Sequence, residues 1–269
     1  MTDLRVGAGQ VAAYLVRLGV ERPAAADAAA LRELHERHLR GVPFENLSIH
    51  LGEEIVLTPK DLVDKVTVAR RGGFCYELNG AFAALLTTLG YRVTLLAAGV
   101  FGGERLGPPF DHLALRVEAA DGSGPWLVDV GFGRHSTHPL LLDERGDQRD
   151  PGGVFRIVEG PDGDLDVHRD GEPQYRLERR PRALSDFEMA CWWQRTSPRS
   201  HFTRSPVCTL LTETGRITLS GRTLVTTDAG GRREAELADD AAVLAAYRDR
   251  FGIVLDRVPS ADVVASRAR

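Results

Sequence analysis

Val11, Leu15 and Leu18 recur at helical spacing and are closed by Gly19, the pattern of an amphipathic helix with a glycine end. Pro23 opens a second helical stretch through Leu31, Leu34 and Leu39 to Gly41. Thr58 and Pro59 have the form of an N-cap and a first-turn proline, which predicts a short helix through Leu62, Val63 and Val66 leading into Arg70-Arg71-Gly72-Gly73. From Cys75 onward, Leu78, Phe82, Leu85, Leu86 and Leu89 mark one apolar face that Gly90 closes. Cys75 is therefore expected in the first turn of a buried helix.

Beyond Gly90 the period changes to alternation. Arg92 to Val100, His112 to Val117, Trp126 to Phe132, Val154 to Val158 and Tyr175 to Leu177 read as strands, separated by the turn dipeptides Asp121-Gly122, Asp162-Gly163 and Asp170-Gly171. This predicts a mostly antiparallel sheet or barrel. Ser185 with Glu188 three residues on is a capping box for a helix through Met189 and Trp192. Two short strands follow, around Ile217 to Leu219 and Leu224 to Thr226, and Asp239 or Asp240 caps a last helix to Arg250. The order helix, strand, mixed, with no repeat and no low-complexity linker, gives an α+β chain of three regions packed together.

Composition narrows the partners. The 269 residues are 43% hydrophobic and 27% charged, ordinary for a soluble chain that buries a large core. The net charge of -4 and the dispersed arginines leave no basic stripe, so a small-molecule partner is expected and no nucleic acid. No apolar run approaches the roughly 20 residues that span a bilayer, and Met1 to Gln10 lacks a signal-peptide pattern. A cytoplasmic protein without a membrane partner is expected. Three cysteines at wide spacing form neither a disulfide framework nor a zinc site, which fits a reducing compartment.

Three residues carry candidate chemistry. Cys75 follows a glycine pair at a helix start, where unpaired N–H groups and the helix dipole favour a thiolate; the bland alternative is a small core residue. His112 opens a strand just after Pro108-Pro109, so its imidazole can be aimed into a cleft as the base a thiol needs. Asp129 is a carboxylate inside the apolar run Trp126 to Gly133, where it must accept hydrogen bonds; a histidine Nδ1–H is the natural donor, and a salt bridge to Arg116 the alternative. His35 with His38, and His135 with His138, stand three apart, but neither pair has a third ligand in view. Solvent-facing histidines are expected there, and no metal. Cys191-Trp192-Trp193 reads as core packing, and Arg71 as either a surface charge or a neighbour of the thiolate.

Arg71-Gly-Gly-Phe-Cys-Tyr-Glu-Leu-Asn79, Asp111-His112-Leu113 and Val128-Asp-Val-Gly-Phe-Gly133, preceded by Val42-Pro-Phe-Glu-Asn-Leu47, resemble in order the signature segments of the arylamine N-acetyltransferase family. The likeness runs to about Ser197, and the Ala- and Arg-rich, Lys-poor composition is that of a high-GC, actinobacterium-like genome. The resemblance implies a helical bundle carrying Cys75 (1–88), a β-barrel carrying His112 and Asp129 (89–184) and an α/β lid (185–269), with a core like that of cysteine proteases. It implies a cytoplasmic enzyme of xenobiotic metabolism, monomer or homodimer. Its catalytic triad Cys75, His112 and Asp129 would take acetyl from acetyl-CoA as a thioester and pass it to an arylamine, arylhydrazine or related amine. Coenzyme A would lie against Gly131, Phe132, Gly133, Ser197 and Ser200, and the acceptor against Phe44, Phe74 and Phe110 in a loop running from Phe101. Asp111 stands where many relatives have Thr, and Leu78 where others have His. The triad alone does not separate this activity from an ansamycin-type amide synthase, which resembles the family, or from a cysteine hydrolase of protease or transglutaminase type. A non-catalytic binding protein on the same scaffold is disfavoured by the intact triad.

Overall fold

The computed structural model describes residues 3–261; residues 262–269 of the expected third region lie outside it. Helix α1 (Ala8–Leu18) ends at Gly19, whose φ of 68° is the left-handed C-cap that glycine adopts without penalty. Helix α2 (Ala28–Gly41) begins later than Pro23 predicts, because the Asp27 carboxylate accepts from the N–H of Ala30 and fixes the N-terminus there. After β1 (Phe44–Glu45) and α3 (Leu47–Leu51), α4 (Pro59–Thr67) starts on the Thr58 cap with proline in its first turn. Helix α5 (Cys75–Leu89) has more than one apolar face: every residue from Cys75 to Leu86 is buried. It runs between α4 on one side and barrel strands on the other, so polar residues on it must find partners within the protein.

The barrel strands are β2 (Arg92–Gly102), β3 (Arg105–Leu106), β4 (His112–Glu118), β5 (Trp126–Val128), β6 (Leu140–Leu141), β7 (Gln148–Asp150), β8 (Gly153–Glu159), β9 (Leu165–Arg169) and β10 (Glu172–Arg182). They pair antiparallel in the order β6-β5-β4-β2-β10-β9-β8-β7, with β3 on β2. The edges meet through a side chain: the Gln148 amide accepts from the N–H of Leu141 at 2.7 Å and donates to its carbonyl at 2.9 Å. The sheet is thus nearly closed. Both faces of β2 and β4 are buried, which explains their almost unbroken apolar sequence. Leu95, Ala97, Leu113 and Leu115 join the core around α5, whereas Leu96, Ala98 and Ala114 face the barrel interior with Phe155, Val167 and Leu177.

Strand β10 is far longer than Tyr175 to Leu177, since its second half is charged and a register shift between Leu177 and Pro181 breaks the alternation. Strand β5 is shorter than expected and stops at Val128, so Asp129 stands one residue beyond the strand. The helix after the barrel, α6 (Glu188–Thr196), is preceded by a turn capped by Asp186 on the N–H of Ala183, not by Ser185. On α6, Met189 and Trp192 are exposed while Cys191 is buried, so the expectation of core packing fails for Trp192.

The last region has more strand than its sequence announces. Strands β11 (Val207–Leu211), β12 (Gly215–Ser220), β13 (Thr223–Asp228) and β14 (Gly231–Glu236) form an antiparallel sheet that β1 joins through Phe44 opposite Thr209. Helix α7 (Asp240–Phe251), capped by Asp239, packs Tyr247 and Phe251 on the buried side of this sheet.

Strand β1 is locked to the start of α5 by ion pairs. Arg71 is 6% exposed and not a surface charge. Its Nε donates to Glu45 Oε1 at 2.9 Å, its Nη2 to Glu45 Oε2 at 3.2 Å, and its Nη1 to Glu53 at 3.0 Å. Glu77, paired with Lys65, accepts from the N–H of Phe74 at 3.2 Å. The backbone leaves no room for side chains here: a Cβ on Gly72 would stand 1.8 Å from the Pro43 carbonyl oxygen, and one on Gly73 2.6 Å from Glu77. Breaking such a buried pair from one side strands a charge, which costs about 3–5 kcal/mol. Arg71→Leu is expected to lower unfolding stability by that amount in urea titrations, and Arg71→Leu with Glu45→Leu by clearly less; equal losses would show that the pair is not the source.

Candidate active site

Cys75 is the first residue of α5 and is 3% exposed. Four residues on, Asn79 lies on the same face of the helix, and its amide organises the segment after β5. Its Nδ2 donates to Asp129 Oδ1 at 2.9 Å and to the Leu113 carbonyl at 2.6 Å, and its Oδ1 accepts from the N–H of Val130 at 2.9 Å. Gly131 then passes so close that a Cβ there would meet Cys75 Cα at 2.8 Å and Asn79 at 2.7 Å. This approach ends β5 early: the chain leaves the ladder at Val128 to lie across the helix start.

His112 Nε2 is 2.8 Å from Asp129 Oδ2. The expected donor was Nδ1; the structure uses Nε2 and leaves Nδ1 as the nitrogen available to a proton. The ring is held between Phe132 and Tyr175, with centroids 5.1 and 5.2 Å away. Arg116 pairs with Glu118, not with Asp129. The turn into β4 is set by Phe110, whose φ of 62° is unusual for a bulky residue and whose carbonyl accepts from the Tyr76 hydroxyl at 2.8 Å.

Electrostatics follow from burial. Burial alone would raise the Asp129 carboxyl, but the charge and hydrogen bond of His112, the nearby His135 and the Asn79 amide outweigh it. The net position is well below the usual carboxylate range. The Cys75 thiol moves the other way, pushed well above its ordinary value by burial and then by Asp111 and Asp129, against a backbone hydrogen bond with Leu113. Burial and these carboxylates thus act against the thiolate that the helix N-terminus favours.

The two histidine pairs are buried and not solvent-facing. His35 is held by the Thr137 carbonyl at 2.9 Å through Nδ1, and its Nε2 accepts from the N–H of Asp129 at 3.4 Å. His38 bonds the Tyr14 hydroxyl at 2.9 Å, His138 bonds Asp150 at 2.9 Å, and His135 stacks on Tyr175. No group of three metal-ligating side chains occurs among the described residues.

Cys75 and His112 open into a cavity of about 1080 Å³, walled by Phe44, Gly131, Phe132, Trp193, His201 and Phe202 among others. Of the expected contacts, Phe44, Gly131 and Phe132 line it. Phe74 is fully buried beneath, against Tyr76 and Phe202, and Phe110 packs on Phe187 under the Arg182 guanidinium. Neither lines the cavity. Gly133 stands against the Phe44 ring, Ser197 accepts from the N–H of Arg199, and Ser200 is buried, donating to Gln194 at 2.6 Å. Gln194 in turn donates to Asp111 at 2.6 Å, and Asp111 also lines the cavity. Sequence reasoning gave Asn79 and Gln194 no role of their own and read His35 only as one of a solvent-facing pair; the spacing of Cys75 and Asn79 was the one signal available.

A family model described as N-acetyltransferase matches residues 27–259. Arylamine N-acetyltransferases of Mycobacterium tuberculosis and Escherichia coli are 36% and 34% identical, over 83% of this chain and 82% of the first and over 90% and 88% for the second. The chain belongs to the arylamine N-acetyltransferase family. Among solved structures, the M. smegmatis arylamine N-acetyltransferase aligns with a TM-score of 0.86 at 31% identity, covering 98% of each chain. That of M. marinum in complex with CoA aligns with a TM-score of 0.84 at 31% identity, covering 96% of this chain and 98% of the other. As an arylamine N-acetyltransferase relative, the chain shares the mixed fold with a barrel-like sheet, and no helix among its described residues is long and apolar enough to cross a membrane.

The buried histidines give a signed pH dependence. Burial lowers His38 to about 3 and His135 to about 4, below the ordinary 6.5 of the unfolded chain. Between pH 6.5 and about 4 the unfolded state therefore takes up protons that the folded state refuses, and stability falls on acidification by about 1.4 kcal/mol per pH unit for each histidine. Glu77 and Asp111, raised by burial, act in the opposite sense. Urea midpoints recorded between pH 7.5 and 5 should fall for the wild type and fall less steeply for His38→Gln; parallel lines would remove His38 from the account.

Proposed function

We propose that the protein is an acetyl-CoA-dependent arylamine N-acetyltransferase working by ping-pong chemistry, with Cys75 as nucleophile, His112 as acid and base, and Asp129 as its orienting carboxylate. The observation that carries the reading is the hydrogen-bonded His112–Asp129 pair opening with Cys75 into one cavity. In the first half, His112 Nδ1 takes the thiol proton and the Cys75 sulfur attacks the thioester carbonyl. The tetrahedral oxyanion is met by the N–H of Cys75, which as a first-turn helix N–H has no acceptor within the helix. Collapse breaks the bond to the coenzyme A sulfur, which leaves with the proton from His112. In the second half the amine nitrogen attacks the acetyl carbon, His112 accepts the amine proton and returns it to the departing Cys75 sulfur, and the N-acetyl product is released.

Because the thiol is raised by burial, the thiolate forms only as an ion pair with the imidazolium. Asp129, ionised across the working pH range, stabilises that imidazolium and fixes Nδ1 toward the cavity. Phe44, Phe132, Trp193 and Phe202 give the acceptor an aromatic wall, which fits an arylamine or arylhydrazine.

Intact and peptide mass spectra after mixing the protein with acetyl-CoA test this reading. One acetyl group is expected on the Cys75 peptide, none on Cys191 or Cys208, none in Cys75→Ala, and its loss on adding an arylamine or hydrazine with N-acetyl product formed. No adduct and no coenzyme A release would refute the donor assignment and favour a carrier-bound acyl donor, as in an amide synthase. An adduct lost to water as fast as to amine would favour a hydrolase.

A further inference from the structure

The C-terminal sheet presents two unlike faces. Cys208, Ile217 and Leu219 pack toward α7, and the alternate residues Val207, Thr209, Arg216, Thr218 and Ser220 form the other face, of which Val207 and Ser220 reach the active-site cavity. On that face Arg216 is half-buried and forms no ion pair among the described residues; its Nη1 donates to Thr209 Oγ1 at 3.2 Å, and that hydroxyl lies 2.7 Å from Thr218 Oγ1. Thr209 pairs with Phe44, the Phe44 ring backs onto Gly133, and Arg134 follows. The Arg134 carbonyl accepts from Arg169 Nη1 at 3.2 Å. Arg134 itself has no ion pair among the described residues, and Arg169 shares only a 3.4 Å contact with the exposed Asp170. Arg134, in the loop after Asp129, and Arg169, on β9, therefore lie near enough to Arg216 on β12 to act on its charge, and ion pairing of the three is limited to the Arg169–Asp170 contact among the described residues. Burial, with the charges of Arg134 and Arg169 adding to it, lowers Arg216 to about 10, and no acidic group acts on it. An uncompensated, half-buried cation beside two others is unfavourable unless an anion completes the group.

We propose that Arg216, Arg134 and Arg169 form a phosphate-binding site at the junction of the barrel and the C-terminal sheet, on the far side of Phe44 from Cys75. The assignment of that phosphate to the acyl donor rests on the acetyltransferase reading above. Planar guanidinium forks match phosphate oxygens in pairs, and the Thr209–Thr218 hydroxyls lie beside them on the same face. The donor's phosphorylated end would then be held across Phe44 while its thioester reaches Cys75. Arg105 and Arg199 also line the cavity, but both are exposed and need no counter-ion.

Titration calorimetry with adenosine 3′,5′-bisphosphate and with inorganic phosphate reads the site without any thioester. Arg216→Gln is expected to weaken bisphosphate binding about tenfold and to flatten its salt dependence, whereas Arg216→Lys, which keeps the charge but loses the paired donors, keeps the salt dependence and recovers only part of the affinity. In Cys75 acetylation, Arg216→Gln should raise the half-saturating acetyl-CoA concentration about tenfold and leave the rate with a phosphate-free acetyl thioester within twofold of wild type. Unchanged bisphosphate affinity in Arg216→Gln, loss of binding only in Arg199→Gln, or equal loss with the phosphate-free thioester would overturn the site. Bisphosphate binding that depends on Arg216 with no change in acetyl-CoA saturation would overturn the donor assignment in favour of a free phosphate compound. Wild type that binds bisphosphate through Arg216 but is never acetylated by acetyl-CoA would instead refute the acetyltransferase reading and leave the site standing.

Discussion

A carboxylate with about one per cent of its surface exposed must have its lone pairs filled by the protein, and most of the arrangement around Cys75 follows from how Asp129 meets that demand. Oδ2 takes the His112 ring. Oδ1 takes the Asn79 amide and the N–H of Gly131 at 3.0 Å, and the backbone N–H of Asp129 turns to His35. The three donors come from different parts of the chain, α5, β4 and the segment leaving β5, and the acceptor for the Asp129 N–H comes from α2. Satisfying one charge therefore docks the barrel onto the helix that carries the cysteine. The same segment must reach Cys75 so closely that only glycine fits at position 131.

A second consequence concerns where charge can exist. The helix start, with its unpaired N–H groups, favours an anion, while burial and two neighbouring carboxylates oppose one. On the proposed mechanism, this balance makes the sulfur reactive in concert with the imidazole, and the thiol stays protonated until the proton is transferred. Cys191 and Cys208, equally buried and without such a partner, are pushed up as well, Cys191 to about 12. They remain packing residues.

The parts legible in the sequence are those set by local physics. Gly19, Thr58 with Pro59, Gly90 and Asp239 mark helix ends where the structure has them, and the apolar runs of β2 and β4 announce strands buried on both faces. What sequence could not supply depends on distant partners. Arg71 reads equally as a surface charge or as a neighbour of the thiolate until Glu45, on another element, is known to face it. The choice of Nε2 over Nδ1 on His112 is fixed by the ring's seat between Phe132 and Tyr175. Phe74 and Phe110 are as aromatic as Phe44, and only packing against Phe202 and Phe187 takes them out of the cavity. Strands β11 and β14 escaped notice because one is short and the other is polar throughout, an exposed edge with no alternation to read.

The dependence of Cys75 on the His112–Asp129 pair is best tested by the single-turnover rate of Cys75 acetylation in Asp129→Asn, compared with wild type at one pH and with folding checked by urea midpoint. With the carboxylate replaced by an amide, the imidazolium loses its counter-charge and the ring its fixed tautomer, and the rate should fall about a thousandfold or more while the protein remains folded. Acetylation of Asp129→Asn within tenfold of the wild-type rate would contradict the account and leave Asp129 a purely structural carboxylate.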